Sequence, residues 1–191
     1  MKRVIIAHRW GGNPKGDWYL WLKKKLEFLS FKVEIPAMPH PSEPNIEKWV
    51  SFLEEKVGIP NQETILIGHS IGCQTILRYL EKLPVGSKVG DVIFVAGWFK
   101  LGNLEDKEVK EISNPWINTP IDFDKIKQKI SRITVFLSSN EPYGCVKENE
   151  KTFKEKLGAK VIIEKNKGHF TEKDGIVEIP EVIDIIKKYT H

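Results

Sequence analysis

The amino-acid sequence predicts an α/β fold, a mostly parallel sheet of about six strands with helices on both faces. Three observations carry that expectation. Short Val/Ile-rich runs alternate with longer amphipathic stretches. Several runs are apolar without alternation, as strands covered on both sides require, where a half-exposed strand would be apolar at every second residue. Clusters of Gly and Pro punctuate the junctions between the two kinds of segment.

In chain order, Val4 to Ala7 reads as a buried strand, "HRWGGNPKGD" as a loop, and "WYLWLKKKLEFL" as a helix with Trp18, Trp21, Leu22 and Leu29 on or near one face. "KVEIP" is a second strand. The helix "NIEKWVSFLEEKV" follows the loop "MPHPSEP", with Asn45 as N-cap and Lys48 where a capping box would place Glu. Ile65, Leu66 and Ile67 form a third strand, and Ile76, Leu77 and Leu80 fall at helical spacing behind it. "DVIFVAGW", "RITVFLSS" and "AKVIIEKN" are three further β-branched runs, and "EIPEVIDIIKKY" is a closing amphipathic helix. The charged, weakly periodic stretch from Phe99 to Thr119 breaks the alternation and is expected as an excursion or small lid over the carboxyl edge of the sheet.

Bulk properties narrow the function classes. At 191 residues the chain is expected to form one domain, 1–191. Its net charge of +4 comes from dispersed Lys with only four Arg, so no concentrated phosphate-binding footprint is expected and nucleic acid is not an expected partner. Cys73 and Cys145 form neither a disulfide framework nor a metal-ligand spacing, and no metal or organic cofactor is expected. The first apolar run is four residues long, too short for a signal-peptide core, and no window approaches a membrane span. These features predict a soluble cytoplasmic protein with no membrane partner.

"ILIGHSIG" carries the chemistry. A buried strand ending in Gly68-His69-Ser70-Ile71-Gly72 and followed at once by a helix has the nucleophile-elbow pattern, in which a strained turn exposes the serine hydroxyl. Gly68 and Gly72 stand where returning backbone would collide with a Cβ. A Gly-rich turn of purely structural use is the alternative. A serine needs a base, and the base needs an acid to fix its tautomer. His169 of "NKGHF" follows the last strand, where a loop returns an imidazole to the carboxyl edge; the other histidines are worse placed. With such an elbow the acid falls between Ser and His in the chain. Glu141, at the end of "RITVFLSSNE" and before Pro142, leads over Asp122, Asp124 and Glu164. The amide of Ile71, at a helix N-terminus, and that of Trp10, in the "HRWGG" loop, are the candidate oxyanion donors.

The ordered set "HRWGG", "DWYLWLKKKLE", "PAMPHP", "ILIGHSIG", "NEPY" and "KGHF" resembles the α/β-hydrolase superfamily over nearly the whole chain, and within it the small serine hydrolases of the retinoblastoma-binding protein 9 and YdeN-like family. The resemblance implies a compact α/β-hydrolase fold with a minimal cap, Ser70 as nucleophile, Glu141 as acid and His169 as base. Three departures stand out. Glu141 occupies the place of the family's usual Asp, Gly144-Cys145 replaces an apolar residue and Pro, and Arg9 follows His8 where Gly is usual. Arg9 is a candidate for an anionic substrate group. Trp98 and Tyr143, with Trp10, Phe99 and Trp116, are candidates for an apolar acyl pocket, with core packing as the alternative.

The expected activity is that of a carboxylesterase-like serine hydrolase acting on a small-molecule ester, amide or peptide. A lyase or perhydrolase built on the same three residues is a rival. A non-catalytic module that binds a protein partner is another, because fold alone does not set activity.

Overall fold

The computed structural model describes residues 2–104 and 106–188; Tyr189 of the closing run and His191 lie outside the described residues. The elements are β1 (Arg3–Ala7), α1 (Tyr19–Phe28), β2 (Lys32–Glu34), α2 (Ile46–Val57), β3 (Thr64–His69), α3 (Ile71–Lys82), β4 (Val89–Val95), α4 (Lys107–Asn118), α5 (Phe123–Lys127), β5 (Ile130–Ser138), α6 (Val146–Leu157), β6 (Lys160–Glu164) and α7 (Pro180–Lys188). The sheet runs β2-β1-β3-β4-β5-β6, and every neighbouring pair is parallel. Parallel neighbours need a crossover, so a helix intervenes between each pair of consecutive strands. The chain leaves β1 for β2 on one side and returns to β3 on the other. That reversal opens a crevice beyond the carboxyl ends of β1 and β3.

Side chains alternate across the sheet and divide the core in two. Ile5, Leu66, Phe94 and Val135 pack toward α2, α3 and α6. Val4, Ile6, Ile67, Ile93 and Phe136 pack toward α1 and α7. Each such fully buried side chain contributes about 1.5–3 kcal/mol of hydrophobic stabilisation. Both faces of β3 and β4 are buried, which is why their sequences are apolar without alternation.

Asn45 caps α2 as expected, its side chain accepting from the Lys48 amide at 3.2 Å. Two features depart from the sequence expectation. The Phe99–Thr119 segment contains the twelve-residue helix α4, capped by the Asp106 carboxylate on the Glu108 and Val109 amides. Pro115 within it masks its helical signal. The Arg78 guanidinium of α3 donates to the carbonyls of Trp116 and Thr119 at 2.9 and 3.0 Å and so ties down the end of α4. The helix α6, over a segment without an assigned element, buries only Asn149, Phe153 and Leu157. That stripe is one residue wide, too narrow for periodicity to reveal. No helix among the described residues is long and apolar enough to cross a membrane.

Candidate active site

Ser70 joins β3 to α3 with φ 54° and ψ −120°, a left-handed φ that costs a non-glycine residue about 1–3 kcal/mol. The surrounding backbone enforces it. A Cβ at Gly68 would lie 2.7 Å from the Cys73 backbone, and one at Gly72 would run into the Ala7 carbonyl. The Ser70 amide donates to the Val95 carbonyl at 2.9 Å, fastening the turn to β4. Ile71 is the first residue of α3, so its amide has no acceptor within the helix.

The loop after β1 supplies the facing backbone. The amides of Arg9, Gly11 and Gly12 are committed, to Tyr19 Oη at 3.1 Å, to the Pro41 carbonyl at 2.7 Å and to the Arg9 carbonyl at 3.0 Å. Among the described residues the Trp10 amide has no hydrogen-bond partner. Arg9 occupies the position of the usual Gly without a positive φ.

His169 lies in the loop after β6, with Nδ1 at 2.8 and 3.0 Å from the two Glu141 oxygens. A carboxylate only accepts, so Nδ1 carries the proton and Nε2 is the basic nitrogen. Nε2 has no partner among the described residues. Glu141 begins a turn closed by the Gly144 amide on its carbonyl at 3.1 Å. Gly144 and Cys145 both have positive φ, 70° and 54°. A Pro, locked near −65°, cannot adopt the Cys145 conformation, which accounts for the departure there.

The loops carrying Glu141 and His169 are fastened to each other by side chains. Ser138 Oγ accepts from the Lys167 amide at 2.9 Å and donates to Asn140 Oδ1 at 2.7 Å, and that oxygen also accepts from the Gly168 amide at 2.9 Å. Asp174 Oδ2 accepts from the His169 and Thr171 amides, both at 3.0 Å, and from the Thr171 hydroxyl at 2.6 Å. Partial burial works against ionisation of Asp174, but these donors outweigh it and hold the carboxyl below its ordinary pKa. The sequence reading missed Asp174, although Thr171-Glu172-Lys173-Asp174 is a readable capping box. Of the rival acids, Asp122 caps α5 and Asp124 pairs with Lys127; neither they nor Glu164 touches His169.

Ser70, His169, Trp10, Trp98, Tyr143 and Arg9 line one cleft of about 380 Å³, with Leu101, Leu104 and Val109 as an apolar wall. The Trp98 indole donates to Ser70 Oγ at 3.3 Å, and the Ser70–His169 hydrogen bond is not made. Tyr143 stands edge-on to the His169 ring at 5.0 Å. The Arg9 guanidinium is paired with the buried Asp17 at 2.7 Å, which spends its charge inside the protein. Trp116 and Phe99 do not line the cleft. Trp116, expected in a loop, lies in α4 against Trp49, and Phe99 packs on Phe123 and Phe153.

His69 and His8 are buried polar groups beside this site. Burial, reinforced by nearby His169, pushes His69 down to about 3, so its ring is neutral at ordinary pH. Burial also lowers His8, whose Nε2 accepts from the Met38 amide at 3.0 Å. Among the described residues no cluster of three or more His, Cys, Asp or Glu converges to hold a metal ion.

A family model described as serine hydrolase matches residues 4–188. YdeN of Bacillus subtilis is 27% identical over 98% of this chain and 96% of its own. The serine hydrolase RBBP9 of Rattus norvegicus is 29% identical over 97% of this chain and 94% of its own. The crystal structure of the B. subtilis ydeN gene product superposes with a TM-score of 0.89, covering 99% of this chain and 98% of that one. Est1E of Butyrivibrio proteoclasticus, solved with ferulic acid, is 10% identical with a TM-score of 0.74, covering 99% and 88%, a likeness of fold alone.

Proposed function

The chain belongs to the serine hydrolase family, and we propose that it cleaves carboxylic esters, and small amides or peptides, through an acyl-enzyme on Ser70. The observation that carries this reading is the His169 imidazole, held by both oxygens of Glu141 in the same cleft as a serine on a strained elbow.

In the proposed reaction the Ser70 hydroxyl turns from the Trp98 indole to His169 Nε2; such contacts commonly tighten only once substrate is bound. Oγ attacks the carbonyl carbon and its proton passes to Nε2. Glu141 stabilises the imidazolium and fixes the tautomer. The carbonyl oxygen becomes an oxyanion, which accepts from the Ile71 and Trp10 amides. Collapse expels the leaving group, which takes the proton from Nε2. Water, deprotonated by His169, then attacks the acyl-enzyme, and as the acyl–Oγ bond breaks His169 returns that proton to Ser70 Oγ and the carboxylic acid leaves. Trp98, Tyr143 and the apolar wall receive the hydrophobic limb of the substrate, while Arg9, already paired with Asp17, holds its loop.

A fluorophosphonate probe tests the reading. Labelling of the wild type at Ser70, located by mass spectrometry and lost in Ser70→Ala and His169→Ala, is the expected result. A folded wild type that resists labelling contradicts it and favours a non-catalytic module.

A further inference from the structure

Tyr19 and His69 have no role in the proposed reaction, yet both are polar and fully buried beside the site. The Arg9 amide meets Tyr19 Oη at 3.1 Å, Tyr19 Oη meets His69 Nδ1 at 2.7 Å, and His69 Nε2 meets the His169 carbonyl at 2.8 Å. With the His69 ring neutral, one proton arrangement satisfies all three contacts. A carbonyl accepts, so His69 Nε2 carries the proton and donates. The neutral ring then accepts at Nδ1, so the Tyr19 hydroxyl donates to it, and a Tyr19 lone pair accepts from the Arg9 amide.

The ends of this chain lie on catalytic loops. The Arg9 carbonyl is pinned by His8 Nδ1 at 2.8 Å and by the Gly12 amide at 3.0 Å. Across the planar trans peptide the Trp10 N–H points opposite to that carbonyl, so fixing Arg9 aims the Trp10 amide. The other end holds the backbone of His169. The middle, His69, immediately precedes Ser70 in β3. One hydrogen-bonded chain thus joins the β1 loop, the elbow and the His169 loop. Trp18 packs against the His69 ring, and Asp17, already paired with Arg9, lies 4.0 Å from its Nδ1.

We propose that Tyr19 and His69 are positioning residues, which set the Trp10 amide and the His169 imidazole in register about Ser70. The inference rests on the reading of Ser70 and His169 as nucleophile and base.

Tyr19→Phe and His69→Gln break the same Tyr19–His69 bond from opposite sides; the Gln amide reaches the Nε2 place and keeps the donor to the His169 carbonyl. Kinetics of the full chain on a p-nitrophenyl ester are expected to show kcat about 10- to 100-fold lower in each variant with KM within about two-fold. The double variant should match the worse single one, because the shared bond is lost only once. Multiplying losses, or unchanged kcat with only a lower melting temperature, would overturn the proposal. Should His69→Gln fail to fold, the kcat and KM of Tyr19→Phe decide alone. A wild type without Ser70-dependent turnover would overturn the hydrolase reading as well, whereas an active wild type with unaffected variants sinks only this proposal.

Discussion

Two regions around the cleft hold their polar side chains by different physics. The elbow around Ser70 is held by sterics. Its φ of 54° is enforced by backbone so close that neither Gly68 nor Gly72 has room for a Cβ. The region around Glu141 and His169 is held by hydrogen bonds between side chains and loop backbone, through Ser138, Asn140 and Asp174. A steric constraint fails as a whole when it is violated, and a hydrogen-bonded one degrades bond by bond. Substitutions in the two regions should therefore differ in kind.

The largest effect is expected at the elbow. Gly72→Ala forces a Cβ against the Ala7 and His8 carbonyls, which cannot move aside as a side chain would. A loss exceeding about 3 kcal/mol in denaturant unfolding, with no turnover from any folded remainder, is expected. A stable, active Gly72→Ala protein would break the contrast. Glu141→Gln comes next. It preserves volume and, by favouring the wrong imidazole tautomer, should lower kcat about 10⁴-fold with an unchanged melting temperature.

Ser138→Ala then removes one stitch between the Glu141 and His169 loops, leaving the Lys167 amide without its acceptor. A cost of about 1–3 kcal/mol in unfolding and a partial loss of kcat are expected. Asp174→Asn is milder and depends on pH. The native carboxyl has a depressed pKa, so its contribution is present above the unfolded Asp value near 3.9 and is lost as pH falls through the lower native value. The stability difference between wild type and Asp174→Asn, measured by urea unfolding, should therefore be constant near neutrality and shrink below about pH 4. A difference that grows on acidification would assign the effect to another group.

The same contrast explains what the sequence could disclose. The elbow lies within five consecutive residues, and its glycines are the direct trace of its crowding, so Ser70 and its flanking elements were readable. The loops carrying Glu141 and His169 could be located from the strands they follow. The stitching could not, since Ser138 to Lys167 and Asn140 to Gly168 are contacts between side chain and backbone 29 and 28 residues apart, with no periodicity to betray them. Tyr19 and His69 escaped for a related reason, being 50 residues apart and resembling ordinary core residues until the fold brings them together. The Arg9–Asp17 pair likewise needed the structure, because an Arg beside a site and an Arg neutralised by a buried carboxylate look alike in sequence.

The proposed hydrolysis depends on acylation of Ser70. The most direct measurement mixes the enzyme rapidly with a p-nitrophenyl ester, following release of nitrophenol and the intact mass of the protein. A nitrophenol burst stoichiometric with enzyme and a mass increase of one acyl group at Ser70 are expected, both absent in Ser70→Ala. Turnover without a burst or adduct in any time window, undiminished in Ser70→Ala, would contradict it.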